Sequence, residues 1–93
     1  MPAQNAVKNV NANAVSLHIL PNPSNGTFNI VYGSDLDETI TIVINNMVGE
    51  KVDEFTIKSN TDNLINLNQA DGVYILTATG SSSKSSAKIV VAR

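Results

Sequence analysis

The sequence predicts an all-β domain, an antiparallel sandwich of seven short strands, on three observations. β-Branched residues dominate, with 10 Val, 9 Ile and 7 Thr against 6 Leu, and such stiff side chains suit a pleated surface better than a helix. Apolar residues recur with a period of two from Val15 onward, the spacing of a strand with one buried face. Turn residues interrupt the runs roughly every 8–12 residues, as all-β sandwiches require. No segment carries a 3.6-residue apolar stripe long enough to fill a helix layer.

Met1 to Ala14, rich in Asn and Ala, lacks either period and is expected to be a tether, residues 1–14. Pairing of Val7 and Val10 as an edge strand is the alternative. In VSLHIL, Val15, Leu17 and Ile19 share one face, with Ser16 and His18 on the other. PNPSNG (Pro21 to Gly26) stops this strand, because proline cannot donate to a ladder and Asn25-Gly26 supplies positive φ. TFNIVY aligns Phe28, Ile30 and Tyr32, and GSDLDE is a polar loop. TITIVIN aligns Ile40, Ile42 and Ile44, and Asn45 to Gly49 turn the chain. In EKVDEFTI, Val52 is out of phase with Phe55 and Ile57, so a β-bulge or a change of sheet is expected between them. LINLN presents Ile65 and Leu67, and Gln69 to Gly72 turn again. VYILTAT is apolar on both faces, as in a strand covered on both sides. GSSSKSS reads as a flexible tip, and AKIVVAR as the last strand.

With 93 residues, this is one small domain, residues 15–93, without room for a second core. A net charge of −2 and the lack of a basic run exclude a nucleic-acid field. No Cys means no disulfide framework and no thiolate metal site. No apolar run reaches the length of a membrane span, so direct membrane insertion is not expected, and the first residues lack a signal-peptide core.

Residues able to do chemistry are few. His18 is the single imidazole and alternates onto the polar face, without a nucleophile or orienting partner in sight. Serines cluster in loops such as Ser81 to Ser83, and no G-x-S-x-G motif occurs. The domain is therefore expected not to be an enzyme and to need no cofactor. Asp35, Asp37 and Glu38 are weak candidates for a hard cation such as Ca²⁺, which wants several converging oxygens; a solvated loop is the simpler reading, since EF-hand spacing is absent. Of the four aromatics, Phe28, Tyr32, Phe55 and Tyr74, the first two lie among Ile and Val on a strand and suit a core rather than a sugar- or base-stacking platform. Tyr74 is placed to seat its hydroxyl on a nearby backbone carbonyl.

Three blocks together point further. ILPNPSNGTFNI holds Pro21, Asn22, Pro23, Asn25, Gly26 and Phe28. ITIVINNMVGEKV holds Gly49, Lys51 and Val52 after an alternating strand. DGVYILTATG, followed by KIVVAR, holds Gly72 and Tyr74, then Lys88, Ile89, Val90, Val91 and Arg93. In this order the chain resembles the type A C-terminal sorting domain of the Bacteroidetes type IX secretion system, from about Val15 to Arg93. It departs at Gln69-Ala70-Asp71, where the family usually carries Leu and often Pro or Ser, and at Asn45 or Asn46, where Asp is common.

The resemblance implies a seven-stranded immunoglobulin-like sandwich, carried at the C-terminus of a larger cargo protein. It implies recognition by the type IX translocon and its shuttle proteins, removal by a sortase-like peptidase, and surface attachment or release of the cargo. The cargo would pass the periplasm and outer membrane to become secreted or surface-bound. The last hairpin, from Gly72-Val73-Tyr74 to Lys88-Ile89-Val90-Val91, with its strand edge, is the expected recognition surface, and cleavage is expected near the tether. The alternative is an immunoglobulin-like accessory module, carbohydrate-binding or a spacer, against which the absence of Trp argues. The parent protein could still be an enzyme.

Overall fold

The computed structural model describes residues 15–93; the expected tether, its Val7–Val10 alternative and the expected cleavage region lie outside them. Seven strands form where alternation places them: β1 Ser16–Leu20, β2 Thr27–Gly33, β3 Thr39–Asn46, β4 Lys51–Lys58, β5 Asn63–Asn66, β6 Gly72–Thr79 and β7 Lys84–Val91. They build two antiparallel sheets, β1-β2-β5 and β4-β3-β6-β7, packed as a sandwich. Phe28, Ile30 and Tyr32 of β2 meet Ile40, Ile42 and Ile44 of β3 and Leu76 of β6 in the core. All seven are essentially inaccessible, and burying each aliphatic one is worth about 1.5–3 kcal/mol.

An immunoglobulin constant-type sandwich pairs its fourth strand with its fifth, in the sheet of strands one and two. Here β4 instead stays beside β3. The reason is local: the Asn46–Glu50 turn is tight, with Asn46 N–H donating to Glu50 O at 2.9 Å, and delivers β4 straight back along β3. The phase break at Val52 is a β-bulge and not a change of sheet. Ile44 pairs with Asp53 and Asn45 with Lys51, which leaves Val52 as the extra residue. The bulge lets Val52 pack against the core although an odd step separates it from Phe55.

Three expectations need correction. The GSSSKSS segment is not all loop, because β7 begins at Lys84 and pairs through Ser85 and Ser86 with Ala78 and Thr77. Polar residues are tolerated there because Lys84 and Ser86 face solvent. Leu67 lies just beyond β5 but is buried all the same. No further layer covers the outer face of β6 among the described residues. Val73, Ile75 and Thr77 are only half-buried, sheltered by their cross-strand neighbours Val90, Lys88 and Ser86.

Strand registers give the sandwich two distinct ends. Leu20, Thr27, Asn46, Asn66, Gly72 and Val91 lie at one, and Ser16, Gly33, Thr39, Lys58, Thr79 and Lys84 at the other. The entry point Val15 is thus at the end opposite Arg93. At each end a buried serine bonds segments that are distant in sequence. Near the entry, Ser59 Oγ donates to Leu36 O at 2.8 Å and accepts from Glu38 N–H at 2.9 Å. At the far end Ser24 N–H donates to Val90 O at 2.9 Å, and Ala92 N–H to Ser24 O at 2.8 Å.

Candidate functional site at the far end of the sandwich

Turn segments from all three sequence blocks lie at the end opposite Val15. The first block builds its turn from short-range bonds: Asn25 Oδ1 accepts from Thr27 N–H, and Ser24 Oγ from Gly26 N–H, each at 3.1 Å. Pro21 and Pro23 are exposed beside it. The loop then reaches across to β7. Asn22 Nδ2 donates to Lys88 O at 2.9 Å, and Asn22 Oδ1 accepts from Val90 N–H at 3.0 Å. Its side-chain amide therefore imitates a strand backbone, and Ser24 continues the imitation as a parallel bridge to Val91.

This arrangement covers part of the strand edge that the expected recognition surface includes. β7 is an edge strand, yet its edge from Lys88 to Ala92 is already occupied by Asn22 and Ser24. Ile89 and Val91 point into the core, at 2% and 1% exposure. Of that segment, Lys88 is exposed and Val90 half-buried.

The third block closes on the first through Arg93. Its guanidinium donates to Gln69 O at 2.7 Å, Asp71 Oδ1 at 3.0 Å and Leu67 O at 3.3 Å, and its N–H to Asp71 Oδ2 at 3.1 Å. The Arg93 backbone amide and guanidinium together hold the Asp71 carboxyl below the usual carboxylate range. Gly26 lies directly beneath, with φ of 107°, and a methyl there would sit 2.6 Å from Arg93 Nη2. Tyr74 donates its hydroxyl to Ala70 O at 2.5 Å, as its position predicts. Gly72 is different: a methyl would meet only the Tyr74 ring, at 3.9 Å, so space does not demand a glycine there.

The second block contributes the β3–β4 turn. Asn46 Oδ1 accepts from Val48 N–H at 3.1 Å and Glu50 N–H at 3.0 Å, and Asn45 Nδ2 donates to Gly49 O at 2.9 Å. Gly49 has φ of 91°. Lys51 pairs with Glu54 at 2.6 Å on the exposed surface. Met47 and Val48 stand at the tip in solvent.

The remaining candidates lie elsewhere. His18 is exposed on β1, opposite Val31. The acidic loop is at the entry end, and its carboxylates turn to separate partners: Glu38 Oε1 accepts from Ser81 N–H, and Asp37 Oδ1 from Asn60 Nδ2. Among the described residues no group of three His, Cys, Asp or Glu side chains stands close enough to hold a metal ion. Phe28, Tyr32 and Tyr74 are buried and Phe55 half-buried, so no aromatic platform faces solvent. Ser24, Ser59 and Asp71 carry structure that sequence reasoning did not single out. Only Asp71 had an available signal, as an acid beside a turn in a chain ending on a base.

The fold and this end together define a class: a small all-β module, without helix among the described residues, that carries its signature turns at the end away from its point of entry. A model of the secretion system C-terminal sorting domain matches residues 18–92, well over half of the chain, and the chain belongs to that family, the sorting domains of type IX secretion. None of the curated proteins searched matches it.

Proposed function

We propose that this domain is the address label of a larger cargo protein, read as a folded unit at the end that carries Asn22, Asn46, Asp71 and Arg93. Family membership gives the sorting role and implies an encounter with the type IX secretion machinery on the way to the cell surface or beyond. The observation that carries the finer reading is the separation of ends. Val15 joins whatever precedes it at one end, and turn segments from all three blocks lie at the other. A translocon component or shuttle protein can then dock while the cargo hangs clear. A sortase-like peptidase would act upstream of β1, in the Asn- and Ala-rich stretch, and the cargo would be attached to the surface or released. The route runs through the periplasm and outer membrane. The domain itself contributes no catalysis in this reading; any enzymatic activity belongs to the parent protein.

A fusion of residues 1–93 behind a fluorescent reporter with a periplasmic export signal tests this. Expressed in a bacterium that has the secretion system, the reporter is expected at the surface or in the medium. Retention in the periplasm beside an exported positive control would refute the sorting role for this chain.

A further inference from the structure

We infer that the β3–β4 tip, Met47-Val48, is an apolar anchor that inserts into a hydrophobic cleft of a folded protein receptor whose rim is positively charged. The inference rests on the sorting reading above and names the chemistry of the partner at that end.

Met47 is 65% exposed and Val48 81%, the latter the most exposed large apolar side chain among the described residues. Singly exposed apolar residues are common and carry no meaning. These two are adjacent at the apex of a turn that has no packing use for them, where Asn, Gly or Ser would serve the chain reversal equally well. The turn beneath is held in one shape. Asn46 N–H donates to Glu50 O, Gly49 N–H to Asn46 O at 3.0 Å, and Asn46 Nδ2 to Glu50 Oε1 at 3.0 Å, beside the Asn45 and Asn46 bonds described above. The backbone of a turn held this way loses little conformational freedom on docking, which lowers the cost of seating an anchor.

The surroundings select the partner. The tip is followed by Glu50, Asp53 and Glu54 against the single Lys51, which is already paired to Glu54. Such a flank is repelled by anionic lipid headgroups and attracted by a basic protein rim. A protein cleft also fits the size of the anchor, two side chains wide, whereas interfacial binding draws on a longer apolar face.

The test compares reporter fusions of the wild-type domain with the Met47→Ser/Val48→Ser double variant and with Glu50→Lys. Met47 and Val48 lie in solvent, so the double variant is expected to melt close to wild type. Glu50→Lys also gives up the bond from Asn46 Nδ2, so Glu50→Gln, which keeps that acceptor without the charge, is measured beside it and should share the export loss. Each buried anchor is worth roughly tenfold or more in affinity, so export of the double variant should fall at least that far, and that of Glu50→Lys by a smaller factor. Wild-type export with an undiminished double variant would overturn the anchor alone and leave the sorting role standing. Failure of the wild type itself would overturn both. Undiminished export of Glu50→Lys would overturn the charged rim. Purified fusion that co-sediments with phosphatidylethanolamine–phosphatidylglycerol vesicles, in a manner lost in the double variant, would assign the tip to a lipid surface and overturn the protein cleft.

Discussion

At the scale of single residues, two glycines do different work. Gly26 and Gly49 both hold positive φ, 107° and 91°, where an L-residue stores about 1–3 kcal/mol of strain. Around Gly49 nothing lies within 4 Å, so Gly49→Ala should cost that strain alone. Gly26→Ala must also push aside Arg93 Nη2 at 2.6 Å and Leu67 O at 3.1 Å, and so loses about 1 kcal/mol more with the Arg93–Leu67 bond. Thermal melts should separate the two variants by about 4–8 °C; equal melting temperatures would show that Arg93 yields freely. Asp71 gives a second prediction. Its folded-state carboxyl is lowered by Arg93, so its contribution is complete above the ordinary value of 3.8 and is lost as pH falls through the lower folded value. Asp71→Asn should therefore melt below wild type near neutral pH, with the gap closing in acid below about pH 4. A gap that stays constant into strong acid would remove the ion pair from the account. Asn25-Gly26 was legible in the sequence as a turn, since the dipeptide specifies its own φ. Arg93 above it was not, because that contact spans most of the chain.

At the scale of elements, alternation carried the strands. The odd step at Val52 even located the bulge in β4, since a phase error in a one-sided strand has few cures. What escaped was everything set by non-local pairing. The start of β7 was masked by Lys84, Ser85 and Ser86, polar residues that a strand accepts only because β6 lies alongside. The allocation of β4 to the β3 sheet depends on turn geometry, and the docking of Asn22 on β7 joins residues 66 and 68 positions apart. That docking blunts an edge that would otherwise invite another strand. Asn22→Ala removes both bonds and should destabilise the domain by about 1–3 kcal/mol. Hydrogen exchange gives the sharper readout: the Val90 amide, bonded to the Asn22 side chain, should exchange much faster, while the Ile89 amide, on the β6 side, keeps its protection. Equal acceleration at both sites would mean that β7 itself has come loose. The same packing disqualifies a simple test of the last strand. Deleting Ile89 to Arg93 removes two core side chains and the Arg93 clamp, so lost export would report unfolding and say nothing of recognition.

For the whole molecule, the decisive property is polarity along the strand direction. Entry at Val15 and the acidic loop occupy one end, and turn segments from all three sequence blocks the other. This was only partly legible: the blocks were visible as motifs, but their placement at one end needed the sheet registers and the Ser24–Val91 bridge. If recognition takes place at that end, bulk placed there should block it and bulk placed at the entry should not. A compact folded domain appended after Arg93 tests this without altering a single residue of the sandwich. The Arg93 side chain keeps its partners Leu67, Gln69 and Asp71, so the melting temperature should stay at the wild-type value. Export should nonetheless fall to background, whereas the same domain joined before residue 1 should be carried out as cargo. A short Gly-Ser insertion between Ser81 and Ser82, at the entry end, extends a solvent-exposed tip at little entropic cost and should leave export intact. Normal export of the appended fusion would move recognition to the faces of the sandwich, where Lys88, Val90 and the half-buried Val73 and Ile75 would become the residues to replace.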